Sequence, residues 1–517
     1  MRLSIGITHL TPAWEILLKQ IGPPFEQLNP VDAWEPDRYS CIITSGRVDF
    51  SSIERLLHFV KRGGSILSET DAAEQLFNTR CSPHFIEYIN TENDGIFQSV
   101  PSGFIGCQLI IPNNATFVKE KHGKKLIEFK KLGHGQILVL PGGLVNSILS
   151  QAPKRRNFST KGPWLPSERV AKVSKHTVRE LITQSLKTLI WKRTLPFVSL
   201  SPFPNSNNSI FGFRIDTDFA SISDVENMYR LCTKHEIPAA WFVETGSCKS
   251  WLHRYSEMVG QDIGLHCFKH RIAKKYILNE KDVNEGKTAL RINGIIPRGY
   301  AAPFGEWNHS LNKALEYHGF QFSSEFSLDY DNLPFYPVLN ERFSTVLQIP
   351  IHPISIGSLR NARHSNKEMV QYFETVIENH TASQLPIIFY DHPGNTNLDV
   401  LDQVFQIIRD KNILKLSMTD FSNWWKNRDD IVWEAKLNDG KLHISTNNSR
   451  NSIKVIISKS EKNCSIPLVE NQLAINELNW MPSQSIPLQV PHISVRAHVN
   501  YKMILNDLLH TYWKYKL

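Results

Sequence analysis

Long apolar runs are missing from this 517-residue chain. No stretch approaches the ~18 uninterrupted residues that a membrane-crossing helix needs, so no transmembrane segment is expected. Cysteine is sparse: seven residues, at 41, 81, 107, 232, 248, 267 and 464, form no C-x-x-C pair. The odd, scattered set argues against a disulfide framework and a cysteine-rich zinc site, and it fits a reducing compartment. The first ten residues, Met-Arg-Leu-Ser-Ile-Gly-Ile-Thr-His-Leu, lack the apolar core and small-residue cleavage site of a secretion signal. They read as a short strand, and a cytoplasmic location is expected. A large excess of one charge is missing too. A net charge of +8 tolerates an anionic substrate but does not call for a polyanion, so no nucleic-acid partner is expected.

What is present is ordinary globular material: 41% hydrophobic and 21% charged residues, over a length that suggests roughly three domains. Residues 1–150 alternate short apolar strands with amphipathic helices. Phe50 to Lys61 carries Ile53, Leu56, Leu57 and Val60 on one helical face, Gly63-Gly64 ends it, and Ser65-Ile-Leu-Ser is the next strand. The pattern predicts an N-terminal flavodoxin-like open α/β sheet. The Val60-Lys-Arg-Gly-Gly-Ser-Ile-Leu turn and His134-Gly-Gln-Ile-Leu-Val-Leu-Pro-Gly-Gly resemble class I glutamine amidotransferase-like domains. The Gly-x-Cys-x-Gly elbow of those enzymes is absent, and Cys41 lies inside a strand. The domain is therefore expected to be an accessory one, open to a protein partner or to a homo-oligomer.

Residues 151–196 read as a basic, proline-containing linker followed by a helix with Val178, Leu181, Ile182, Leu189 and Ile190 on one face. From 197 to 428, seven strand-like segments separated by helices predict a distorted (β/α) barrel with its site at the C-terminal strand ends. Residues 430–517 alternate apolar and polar positions around turns and predict a small C-terminal β-sandwich with an amphipathic tail at Tyr501–Leu517.

The chemistry gathers at the ends of barrel strands. Ile210-Phe-Gly-Phe-Arg-Ile-Asp-Thr-Asp runs a buried strand into Asp216 and Asp218, and Ile263-Gly-Leu-His-Cys-Phe-Lys-His places His266 and His270 four apart. On spacing, Asp218, His266 and His270 offer one oxygen and two nitrogens to a divalent metal, the two imidazoles being expected on one side of a helical turn. A catalytic zinc keeps an open position beside three such ligands, and Asp216 would then serve as general base. Ser223 and Glu226 are spaced as a capping box for the helix that follows.

Residues ~205–428 resemble the polysaccharide deacetylase (NodB-homology, carbohydrate esterase family 4) domain. Arg214-Ile-Asp-Thr-Asp218 resembles the family's first motif in an Asp-x-Asp form rather than Asp-Asp-Gly, His266-x-x-x-His270 its second, and Lys234-His-Glu-Ile-Pro-Ala-Ala-Trp-Phe-Val the strand between them. Trp424-Trp425 falls where such domains end. The resemblance implies a carbohydrate substrate, a divalent metal (Zn2+ foremost) and removal of an N-acetyl group. It assigns Asp216 as base and a late histidine as the acid that protonates the leaving nitrogen. Two His-Pro dipeptides compete for that role. His392, after a core-like strand, is preferred, with Asp391 orienting it, and His352 is left as a substrate-binding residue beside Tyr300, Pro303, Phe304 and Trp307. A backbone N–H near Tyr300 is expected to serve the oxyanion. The third motif departs: Tyr300-Ala-Ala-Pro-Phe-Gly has Ala301 where the family has the arginine that keeps the base ionised. Arg214 or Arg298 could supply that charge, Arg214 by sharing a strand face with Asp216. With no secretion signal, a lipid-linked sugar, an oligosaccharide or a small amide stands beside a polymer as substrate. The alternative reading is a metal-binding but inactive module for glycan binding or assembly.

Overall fold

Ile210–Asp216 forms a strand whose seven residues are all buried, and the site-bearing half of the protein is arranged around it. The computed structural model describes residues 1–482 except 30–33, 93, 163 and 461, and beyond them only 493, 494, 505, 508 and 509. The chain divides into two compact units, neither of which is continuous in sequence.

The first unit comprises 1–150, 173–206 and 426–488. Its main sheet is mixed. Five parallel strands, in the order Phe25–Gln27, Ile5–Ile7, Cys41–Thr44, Ser65–Glu69 and Gly135–Leu140, are extended by four antiparallel ones. The helix Phe50–Lys61 forms as its periodicity predicts, burying Leu56, Phe59 and Val60. The helix Lys175–Trp191 and the strand Phe197–Leu200 belong to this unit rather than to a linker and a barrel. Phe197–Leu200 pairs antiparallel with Arg450–Lys459, and a separate three-stranded sheet holds Trp433–Asn438, Lys441–Thr446 and Asn471–Ala474. The buried Arg428 donates to the carbonyls of Lys19, Gln20, Leu200 and Ser201, which ties 426–488 into this unit instead of leaving it a free-standing domain. The tail Tyr501–Leu517 and most of the strand expected at 492–499 lie outside the described residues.

The second unit holds 151–172 and 207–425, with the 489–517 stretch. Its sheet is parallel and curled. Eight strands follow in chain order: β1 Ile210–Asp216, β2 Ala240–Glu244, β3 Asp262–Cys267, β4 Gly299–Tyr300, β5 Phe322–Ser323, β6 Leu347–Gln348, β7 Ile387–Asp391 and β8 Leu414–Lys415. The spatial order is β6-β5-β4-β3-β2-β1-β7, with β8 against the start of β1. Past β6, the His352 N–H donates to the Ile388 carbonyl on β7 at 2.9 Å and joins the two edges. The result is a curled parallel half-barrel of eight strands against the seven expected, with β4, β5 and β6 only two residues long.

Two local expectations are corrected. Residues 151–172 are not a linker. Pro153–Phe158 and Ser167–Ala171 form an antiparallel hairpin that buries Phe158, Val170 and Ala171 together with the basic Arg156. The capping box of the helix Ile222–Lys234 is Ser221 with Asp224, not Ser223 with Glu226. The run Ser-Ile-Ser-Asp-Val-Glu holds two boxes of identical spacing, and the helix begins at the first. Among the described residues no helix is long and apolar enough to cross a membrane.

Candidate metal and acid–base site

The pleat of β1 sends Arg214 and Asp216 to one side, as alternation requires. The guanidinium grips the carboxylate as a fork, Nε to Oδ1 at 2.7 Å and Nη2 to Oδ2 at 2.5 Å, while Nη1 donates to the Ser324 carbonyl. Arg214 is fully buried and lies 5.6 Å from the ring centres of both Phe242 and Tyr390. The cation facing Asp216 thus comes from its own strand. Arg298, the other candidate, is exposed.

Two residues on, past the end of the strand, Asp218 meets the histidines. Its Oδ1 is 2.9 Å from His266 Nε2 and 3.3 Å from His270 Nε2, and its Oδ2 is 3.3 Å from His392 Nε2. His266 lies on β3, and His270 follows in the bend after it, so the pair is a strand-and-bend arrangement rather than one helical turn. Strand pairing with β2 runs to Cys267 and rules out a helix there. The bend is fixed by Asp282, whose carboxylate accepts the Phe268 and Lys269 N–H groups at 3.0 and 2.9 Å.

The donor set fits a metal cation. His266 Nδ1 faces the Ala301 carbonyl at 2.6 Å, and since a carbonyl only accepts, Nδ1 carries the proton. In the neutral ring Nε2 therefore presents a lone pair to Asp218 Oδ1, itself an acceptor. Asp218 Oδ1, His266 Nε2 and His270 Nε2 are buried without a hydrogen-bond partner, and the three ligand atoms lie within 4.8 Å of one another. Convergent acceptors at such distances suit a cation among them, and two imidazoles with one carboxylate are donors that zinc takes. Side-chain exposure rises from 1% at His266 through 14% at His270 to 25% at Asp218 and His392, so the cluster is open on one side.

Burial pushes the Asp218 carboxyl up, but the three imidazoles beside it, His266 foremost, outweigh that and hold the group well below the usual carboxylate range. Burial pulls His392 down, yet its hydrogen bond to Asp218 and the nearby acids lift it to about 9. Asp391 does not reach that ring through its hydrogen bonds: its carboxylate accepts the His392 backbone N–H at 3.0 Å and the Thr396 hydroxyl at 2.5 Å.

Of the residues expected to bind substrate, Phe304 is half exposed, while Tyr300, Pro303 and Trp307 are buried. Trp307 Nε1 donates to Asn312, a packing arrangement. The Ala301 and Ala302 N–H groups are taken by the Leu265 carbonyl and by Glu325, so the oxyanion donor expected near Tyr300 is neither of these. His352 is 1% exposed and cannot touch a substrate. Its Nδ1 bonds Asp331 at 3.0 Å and its Nε2 the Tyr372 hydroxyl at 2.9 Å, within a buried cluster that also holds His380. His-Pro as a dipeptide does not tell an open strand end from a closed one.

Sequence reasoning missed Asp282, Glu325 and Phe219. Glu325 is fully buried between Arg214 and the Ala302 amide. A lone acid in Ser-Ser-Glu-Phe-Ser has no spacing signal. Phe219 had one, standing directly after Asp218.

The model of the polysaccharide deacetylase family matches residues 218–323, which takes in Asp218, His266, His270 and the turn after β4. A peptidoglycan deacetylase of Helicobacter pylori is 25% identical over 133 residues, 25% of this chain and 45% of that protein. The match thus spans less than half of the relative's own length. Among solved structures, a family 4 carbohydrate esterase from Streptomyces lividans in complex with acetate aligns at 14% identity and TM-score 0.28, covering 41% of this chain and 93% of its own. The Puue allantoinase aligns at 13% and 0.37, covering 44% and 93%.

Proposed function

We propose that the second unit is a metal-dependent hydrolase that removes an N-acetyl group from a carbohydrate. The observation that carries this reading is the convergence of Asp218, His266 and His270 on one open point beside an arginine-clamped Asp216 and His392. The match of residues 218–323 to the polysaccharide deacetylase family supports the acyl group and the sugar. The three convergent residues would hold the metal, for which Zn2+ suits two nitrogens and one oxygen. When bound, it supplies a Lewis acid that polarises an acyl carbonyl and lowers the pKa of water. Asp216, clamped by the Arg214 guanidinium, accepts the proton that water gives up as it attacks. His392, whose ring nitrogen stands 3.3 Å from Asp218, gives its proton to the departing nitrogen.

The inactive-module reading drew on the arginine missing beside Pro303. Arg214 carries that charge from another direction, which favours the hydrolase. We read the first unit as accessory: Cys41 is fully buried, and burial pushes its thiol up to about 12, which suits no nucleophile. The test is acetate release from the β-1,4-linked tetramer of N-acetylglucosamine, with bound metal measured in parallel. One metal per chain is expected, together with a loss of at least about a hundredfold in kcat for Asp216→Asn. A chain that takes up no metal, or an Asp216→Asn variant as fast as wild type, overturns the proposal.

A further inference from the structure

Fifteen non-glycine residues among those described have positive φ, and only two of them are aromatic: Phe219, at +56°, and Phe304, at +60°. Both lie against the same imidazole. The Phe219 ring centre is 5.5 Å from that of His270 and the Phe304 centre 4.7 Å, each ring set edge-to-face. Both also stand in the open, 65% and 50% exposed. Each feature alone is unremarked: isolated surface aromatics are common, and Asn or Asp often adopts this backbone. Together they conflict. The left-handed region is a true outlier for a bulky side chain, and a ring left mostly in water returns little packing to the fold. A backbone strained to hold an apolar ring outside the core is the pattern of a residue kept for what it touches.

What it touches follows from where it stands. Phe219 comes directly after Asp218 and Phe304 from the turn after β4, so the two rings approach His270 from different elements. A substrate reaching the open side of the metal-type cluster passes these rings. Its group must then offer a flat apolar face to an aromatic and hydroxyls to water and to the acids nearby. A pyranose ring has both, with axial C–H bonds on its faces and hydroxyls at its rim. We infer that Phe219 is a substrate-binding residue that stacks on the sugar ring bearing the reacting group, with Phe304 as the second wall. This rests on the carbohydrate reading above and names a contact which that reading does not contain.

Calorimetric titration of the tetramer into Asp216→Asn protein, which holds substrate without turning it over, tests the stacking apart from catalysis. Phe219→Gly in that background is expected to weaken binding about tenfold, as loss of an aromatic contact does, and Phe219→Trp to restore it. Since glycine relieves the backbone, Tm of Phe219→Gly should equal or exceed that of the parent. In otherwise wild-type protein the same change should raise KM and leave kcat within a few-fold. Unchanged affinity in Phe219→Gly overturns the inference. So does a fall in Tm that accounts for the loss, or a parent that binds no tetramer. Ring-dependent binding without acetate release from wild type would uphold Phe219 and sink the hydrolase reading instead.

Discussion

Arg214 answers one charge and has almost no water to share it with. Removing the guanidinium would leave the Asp216 carboxylate buried and unpaired, and breaking such a pair costs about 3–5 kcal/mol. Arg214→Met should therefore unfold at markedly lower urea concentration, and adding Asp216→Asn should recover part of the loss by removing the stranded charge. Lysine cannot reproduce a two-point grip, so Arg214→Lys should still lose activity. Glu325, beside it, titrates differently. Burial raises its folded pKa from 4.5 to about 7, against smaller lowering effects of Ser323, Arg214 and the Ala302 N–H. Between those values the folded protein keeps a proton that the unfolded chain has released. Stability is thus highest below the unfolded pKa and falls as pH rises through the window, by roughly 3 kcal/mol in all. Glu325→Gln should flatten that part of the profile, which urea unfolding at pH 5 and pH 8 would register.

At the scale of elements, the metal-type site is a strand end plus a bend, and the bend depends on a helix. Asp282 reaches from the helix Tyr276–Ile292 to two backbone N–H groups just before His270. Asp282→Ala removes both acceptors and frees the bend while touching no ligand. We expect metal affinity to fall about 10–100-fold, as with other residues that orient ligands indirectly, and competition with a chelator would measure it. The sequence shows why this level was half legible. His-x-x-x-His gives the spacing but not the conformation, because four residues span a helical turn or a strand end equally well. The strand alternation that puts Arg214 beside Asp216 is fixed by the pleat, and it predicted the pair correctly. The capping box failed by two residues because its spacing occurs twice in a row.

Across the whole molecule, legibility followed continuity. β1 to β3, long and apolar, were plain in the sequence; the two-residue strands β4 to β6 carry little local signal. The hairpin at 153–171 belongs with residues far downstream, and 426–488 with residues far upstream, relations that no local window records. The same division gives a prediction. A metal held by Asp218, His266 and His270 binds only the folded second unit, so it should stabilise that unit by mass action. Hydrogen exchange should slow around 216–219, 264–271 and 299–305 on adding metal and stay unchanged in the sheet of residues 1–150.

The proposed base and its cation are separated by one residue on one strand, and that has a consequence for inheritance. Arg-Ile-Asp-Thr-Asp is a single cassette: one exchanged segment would carry the proposed proton acceptor, the guanidinium that clamps it and the first proposed metal ligand together. A loop after β4 can then lengthen, shorten or carry no arginine, as at Ala301, without disarming Asp216 three strands away. Searches keyed to an arginine in that loop would pass over such chains, whereas Arg-x-Asp-x-Asp at the end of a buried strand would find them.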